Sequence, residues 1–211
     1  RMIIKLLDAV DYAHRQLIVH RDIKPGNILV DPRGEPRLLD FGIAKRLDDA
    51  FTTNIDFQAR TPAYSAPEQV LGQKADVRSD VYALGAVLFE ILTLQMLVSG
   101  TSVMELLVRT RDGGHDPRAR VRAPERDVSP ELDALCVHAT ALTPGQRTPS
   151  ARALGEQLQR FLDGDRDLAL RRGLVAGFLA EAEQALASGG ADTPATRAQA
   201  MQAAGRALAL E

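Results

Sequence analysis

Apolar side chains recur three to four residues apart at Ile3, Leu6, Leu7, Val10, Ala13 and Leu17, which predicts a first helix over residues 2–17 with one buried face. Over residues 18–41 the pattern shortens to Ile28-Leu29-Val30 and Leu38-Leu39, separated by the turn-forming run Asp31-Pro32-Arg33-Gly34-Glu35-Pro36. Two short strands joined by a tight connection follow from this. Residues 45–69 have no clear period and are expected to form a long ordered loop. Ser79 is placed as the cap of a helix through Ala83, Leu84, Val87, Leu88 and Ile91, apolar on enough sides to be central and buried. A further helix is expected after Thr101 or Ser102, taking in Val103, Leu106 and Leu107, and then an exposed irregular loop over residues 109–127.

Ser129-Pro130-Glu131 sets a capping hydroxyl before a proline at the first turn, with an acid near the positive helix end. Thr148-Pro149 repeats the device and opens a helix expected to end at residues 161–164. Leu174, Phe178, Ala182 and Leu186 form another stripe that stops at Ser188-Gly189-Gly190, and Thr193-Pro194 opens a last helix to Leu210. These last helices read as a hairpin or the beginning of a helical repeat. The expected division is residues 1–164 and an Ala-rich helical extension over 165–211.

Composition narrows the function classes. The chain has 211 residues, 45% of them hydrophobic, enough for a sizeable core and unlike a fibrous or wholly disordered chain. Twenty-six Lys and Arg against 28 Asp and Glu leave a net charge of -2, which provides no strong field for nucleic acid or acidic lipid. A substrate phosphate must therefore be handled by local groups. Cys136 is the single cysteine, so no internal disulfide or thiolate cluster forms, and its apolar neighbours Leu135 and Val137 predict a packing role. His14, His115 and His138 lack metal-site spacing and read as packing or surface residues. No apolar run is long enough to cross a bilayer, and the expectation is cytoplasmic placement of these residues, with a membrane anchor elsewhere in the full-length protein left open.

The chemistry is concentrated in His20-Arg21-Asp22-Ile23-Lys24-Pro25-Gly26-Asn27, followed by Asp40-Phe41-Gly42, Ala66-Pro67-Glu68 and Ser79-Asp80-Val81-Tyr82-Ala83-Leu84-Gly85. Asp22 offers a carboxylate to accept the proton of an attacking hydroxyl, and Lys24 brings positive charge beside a moving phosphoryl group. Asn27 offers a neutral oxygen to a divalent ion, and Asp40 a harder anionic one. Singly, each of these residues would read as a cap, a turn or a solvated charge.

Together, in this order and spacing, they resemble the catalytic half of a serine/threonine protein kinase of the bacterial, eukaryotic-like branch, over residues 1 to about 162. The resemblance implies a mainly α architecture of the α+β family: the C-terminal lobe of a protein kinase with a short β hairpin, followed by a helical C-terminal extension. It implies ATP and Mg²⁺ as cofactors and a protein Ser or Thr hydroxyl as acceptor. Asp22 and Lys24 match the catalytic positions, Lys24 also meeting the nucleotide phosphates, and Asn27 and Asp40 match the Mg²⁺ ligands. His20 matches a structural position, Phe41 and Gly42 the switching pair after the metal-binding Asp, and Asp80 the carboxylate that holds the catalytic loop. Thr52 and Thr53 lie where related kinases receive activating phosphate, with Arg21 as its recruiter. Thr61 matches the residue that orients the catalytic Asp and Lys, and Glu68 and Arg147 match an ion pair locking the segment's end. Two positions depart from the common bacterial pattern: Arg60 precedes Thr61 where Gly is usual, and Ser65 stands where an apolar residue is usual.

A kinase also has a strand-rich N-terminal lobe with a glycine-rich phosphate cover, a strand Lys and a helix Glu. None of these motifs occurs in residues 1–211. The expectation is a fragment of an active kinase with little turnover by itself. The competing readings are an inactive kinase-like docking or regulatory module, and a protein-binding helical region starting after Asp165.

Overall fold

The computed structural model describes residues 2–40, 45–46, 62–188 and 194–208. The first helix, α1 (Met2–Arg15), buries Leu6, Leu7, Val10, Ala13 and His14, the face that its periodicity marks. A two-residue strand β1 (Ile18–Val19) follows, and β2 (Ile28–Val30) pairs antiparallel with β3 (Pro36–Leu38) in the register Ile28 to Leu38, Leu29 to Arg37 and Val30 to Pro36. Asp31 closes the hairpin by accepting the backbone N–H groups of Arg33 and Glu35, each at 2.9 Å. The Glu35 bond above all, joined by the Arg33 bond and the nearby Arg37 and Lys5 charges, outweighs the opposing effect of burial and holds its carboxyl below the ordinary range.

Within the span 45–69, the described residues 45–46 and 62–69 are more structured than their aperiodic sequence suggests. Strand β4 (Lys45–Arg46) pairs antiparallel with β1, a 3-10 turn covers Pro62–Tyr64, and a four-residue helix α2 spans Pro67–Val70. A two-residue strand and a single helical turn are too short to leave a period in the sequence.

Helix α3 (Val77–Thr93) is the centre of the larger unit, buried without a break from Ser79 to Phe89. A helix apolar all round is a helix packed all round. Its cap is Asp76, whose carboxylate accepts the Arg78 N–H at 2.8 Å. Ser79, expected as the cap, is instead the third helical residue, and its hydroxyl accepts the Asp76 N–H at 3.2 Å to complete a capping box. The helix ends at Leu94, a non-glycine residue in the left-handed region (φ 58°) with its side chain 71% exposed.

Helix α4 (Val103–Asp112) begins on the hydroxyl of Ser102, as expected. Within the expected loop of residues 109–127 lie the end of α4, the short helix α5 (Ala119–Arg122) and a 3-10 turn at Pro124–Arg126. Ala119 and Ala123 are fully buried, and Arg122 lies over the Phe89 ring with its fork on the carbonyls of Met96 and Leu97. Arginine content read as exposure; its stem and guanidinium in fact cover the end of α3. Helix α6 (Pro130–Ala139) is capped by Ser129, and the fully buried Cys136 on it has its thiol pushed up to about 12 by desolvation and then by the nearby Asp133 charge.

Helix α7 runs from Ala151 to Ser188 and α8 from Pro194 to Leu208. Ser150, two residues later than the expected Thr148, accepts the Ala153 N–H at 3.1 Å. The expected stop at residues 161–164 does not occur. Gly164 costs a helix interior only about 1 kcal/mol relative to Ala, and no proline accompanies it. The chain divides into two compact units, Arg1–Gln159 and Arg160–Glu211. In the second, Ala182, Ala200, Ala203 and Ala207 are buried and Arg206 lies over the Phe178 ring. No helix among the described residues is long and apolar enough to cross a membrane.

Two substitutions test this packing with opposite signs. A Cβ at Gly85 would meet the Ala139 Cβ at 2.6 Å and the Thr140 Cγ2 at 2.8 Å, neither of which is the end of a flexible chain. Gly85→Ala is expected to lower urea stability by about 1–3 kcal/mol despite its better helix propensity. Leu94→Gly relieves a left-handed residue and is expected to raise stability by about 1 kcal/mol.

Candidate active site

The site grows from a carboxylate that is itself out of solvent. Asp80, in the first turn of α3, is 1% exposed. Its Oδ1 accepts the Arg21 N–H at 2.8 Å, and its Oδ2 accepts the His20 N–H at 2.8 Å and lies 2.8 Å from the Nε2 of His14. A charge buried this deeply persists only with such donors, and the positive helix end adds to them. Arg21 consequently sits at φ 69°, a left-handed conformation that a side chain resists by about 1–3 kcal/mol. The side-chain N–H of Gln69 binds its carbonyl from the opposite side at 2.9 Å.

His20 bridges two stretches of backbone through its ring. Its Nδ1 accepts the Asp22 N–H at 3.3 Å, which assigns the proton to Nε2, and Nε2 donates to the Leu39 carbonyl at 2.9 Å. Leu39 in turn donates its N–H to the Asn27 carbonyl at 2.8 Å. These two bonds set the backbone just before Asp40 beside the loop that carries Asp22 and Asn27.

Asp22, Lys24 and Asn27 are in direct contact. The Oδ2 of Asp22 pairs with the Lys24 ammonium at 2.8 Å and accepts from the Asn27 Nδ2 at 3.0 Å. The same Nδ2 donates to the Asp22 carbonyl at 2.8 Å. With its nitrogen committed, Asn27 is left with Oδ1 as a free acceptor, and among the described residues neither this oxygen nor the Oδ1 of Asp22 takes a hydrogen bond. Asp40 is exposed, at φ 61°, and its carboxylate makes no hydrogen bond among the described residues. The donors at 27 and 40 are thus hard oxygens of the kind that suit a divalent cation. Phe41, Gly42, Thr52, Thr53 and Thr61 lie outside the described residues.

A second anchor sits behind this loop. Arg147 grips Glu68 through two parallel bonds, Nη1 to Oε1 at 2.6 Å and Nη2 to Oε2 at 2.7 Å, and its remaining donors reach the carbonyls of Arg78, Ala141 and Leu142. The Ser79 hydroxyl donates to Glu68 Oε1 at 2.6 Å, and the guanidinium lies 5.1 Å from the Tyr82 ring centroid. Burial would raise the Glu68 pKa, but the Arg147 and Ser79 hydrogen bonds and the Arg147 charge outweigh it and hold the carboxyl low. Ser65, at an otherwise apolar family position, is buried.

Three contributing residues are given no part in the site by the sequence. His14, expected as packing or surface, is a ligand of Asp80; its place beside Val10 and Ala13 on the buried face was the available cue. Ser79 holds Glu68 in addition to α3. Gln69 falls three residues after Ala66, the spacing of a capping-box glutamine, but its second bond, to residue 21, leaves no local signal.

Arg147→Met tests the buried pair. Because the Glu68 pKa is depressed in the fold, the pair's contribution is present above the unfolded carboxyl pKa and is lost as pH falls through the folded one. At neutral pH the substitution strands a buried charge and is expected to cost about 3–5 kcal/mol. That deficit is expected to shrink on acidification, as protonation of Glu68 removes the charge, when wild type and variant are compared by urea unfolding across pH 3.5–7.

Residues 1–158 match the family described as protein kinase domain. The chain is 37% identical over 166 residues to a probable serine/threonine-protein kinase of Streptomyces coelicolor, covering 77% of this chain and 24% of that protein. It is 38% identical over 158 residues to the serine/threonine-protein kinase PknL of Mycobacterium tuberculosis, covering 75% of this chain and 39% of PknL. Against the serine/threonine-protein kinase PrkC of Bacillus subtilis the figures are 35% over 162 residues, 77% and 24%. The chain spans well under half the length of each of these relatives. The ordered motifs, the loop they build around Asp80 and the family match over most of the chain agree: this chain belongs to the protein kinase domain family, on its bacterial serine/threonine side.

Proposed function

We propose that this chain forms the catalytic floor of an enzyme that transfers the terminal phosphoryl group of ATP to Ser or Thr hydroxyls of proteins. The observation that carries this is the division of labour at Asp22: one carboxylate oxygen is held by Lys24 and Asn27, and the other is left without a hydrogen bond among the described residues. An incoming alcohol donates to that second oxygen, which takes its proton as the oxygen–phosphorus bond forms. Lys24, kept beside Asp22, stabilises the charge that gathers on the transferred group.

The Oδ1 of Asn27 and the carboxylate of Asp40 are the groups that would hold Mg²⁺ with the nucleotide. The bound ion supplies neutralisation of phosphate charge. Asp80, His20 and Gln69 fix the loop so that these groups need no reorganisation when substrate arrives.

The phosphate-covering elements of the N-terminal lobe belong, in this reading, to polypeptide outside residues 1–211. The kinase portion is residues 1–164, with 165–211 as an appended helical region. Activating phosphate at Thr52 or Thr53 is received by Arg21, a reading supported by the burial of Arg21 and by its Nε, which has no hydrogen-bond partner among the described residues. Thr61 orients Asp22 and Lys24, and Phe41 and Gly42 form the switch after Asp40. The balanced net charge of -2 argues against a nucleic-acid partner.

The test is transfer of labelled phosphate from ATP with Mg²⁺ to a generic basic protein, using the full-length protein that contains this chain. Asp22→Asn is expected to lower kcat by about 10²–10⁴-fold with nucleotide binding retained. Asp40→Asn is expected to raise the Mg²⁺ requirement. A folded full-length protein that binds no nucleotide and transfers no phosphate would sink the enzyme reading in favour of a docking module.

A further inference from the structure

We propose that Gln69 is a positioning residue for Asp22, coupling the seating of α2 to the backbone on which Asp22 stands. The inference rests on the reading of Asp22 as the group that takes the substrate's proton.

Gln69 is 5% exposed, and both ends of its side-chain amide are in use. The Oε1 accepts the Ala66 N–H at 2.9 Å, and the Nε2 donates to the Arg21 carbonyl at 2.9 Å. The first bond belongs to the start of α2. The second spans 48 positions of sequence and lands on the peptide group that joins Arg21 to Asp22. Only an amide of this length satisfies both: a carboxylate accepts from Ala66 but has no proton for Arg21, and a thioether does neither.

What that bond holds is strained. Arg21 is left-handed at φ 69°, with its N–H fixed by Asp80 on α3 and its carbonyl fixed by Gln69 on α2. A strained residue persists when its surroundings over-determine it. Without Gln69 the Arg21 carbonyl loses its clamp and the following peptide is free to rotate, carrying the Asp22 side chain with it. The four residues of α2 are too few to hold a helix alone, so its position comes from outside contacts. Glu68 anchors it to Arg147 and the adjacent Gln69 passes that position to the catalytic loop. Any event in the preceding segment that lifts α2 therefore releases the peptide before Asp22, and a well-seated α2 secures it.

Gln69→Glu keeps the shape and removes the donor, and Gln69→Met removes both functions. In the full-length protein, both are expected to lower kcat by on the order of tenfold to a hundredfold, leaving the KM for ATP within about twofold. The Gln69→Glu deficit relative to wild type is expected to shrink between about pH 8 and pH 6, where a buried carboxyl regains its proton and with it a donor for Arg21. Gln69→Met is expected to show no such recovery. Backbone amide exchange supplies a readout independent of phosphotransfer: the Arg21 and Asp22 amides are expected to exchange faster in both variants, with the α3 amides unchanged. Unchanged exchange at Arg21 and Asp22, or an α3 core that loosens equally with them, overturns the proposal. If wild type transfers no phosphate, the functional reading fails while exchange still decides the clamp.

Discussion

A carboxylate with 1% of its surface in water organises this protein. Asp80 accepts from two consecutive backbone N–H groups and faces the Nε2 of His14, so one side chain ties α1, α3 and the loop at residues 20–27 together. The desolvation cost of that charge is several kcal/mol, and it is offset only while all three donors stay in place. The loop therefore has one low-energy arrangement rather than many. The left-handed Arg21 that results turns the chain so that Asp22, Lys24 and Asn27 meet.

The helix that carries Asp80 must in turn be immovable. Burial from Ser79 to Phe89 and the closeness of Gly85 to Ala139 leave α3 no room to shift. The Arg147 guanidinium joins Glu68 on α2 to the carbonyl of Arg78 on α3 and to the loop after α6, and its bidentate geometry fixes orientation as well as distance. Positioning of this kind is what phosphoryl transfer demands, since there is little covalent chemistry for the protein to perform.

The legible parts of the fold were those whose cause is local. The periodic face of α1, the turn run between β2 and β3, and the hydroxyls of Ser102 and Ser129 each appear where their residue types place them. The errors also have identifiable causes. The arginines of residues 109–127 read as a mark of solvent, whereas the Arg122 stem and fork cover Phe89. Helix α7 outruns its expected end because one glycine is a modest cost that neighbouring helical residues absorb. The cap of α3 lies one turn before the expected Ser79: Asp76 starts the helix, and Ser79 reaches across to Glu68.

The sequence by itself marked the candidate chemistry, because an acid, a lysine, an amide and a second acid at fixed intervals in one short stretch are few enough to name: Asp22, Lys24, Asn27 and Asp40. Only the tertiary structure decided what holds them. The partners of the loop, His14, Gln69 and Asp80, come from three helices between 6 and 60 positions away in the chain, measured from His20. A hydrogen bond across such separations depends on how helices pack, and packing depends on the summed shape of many side chains rather than on any local pattern.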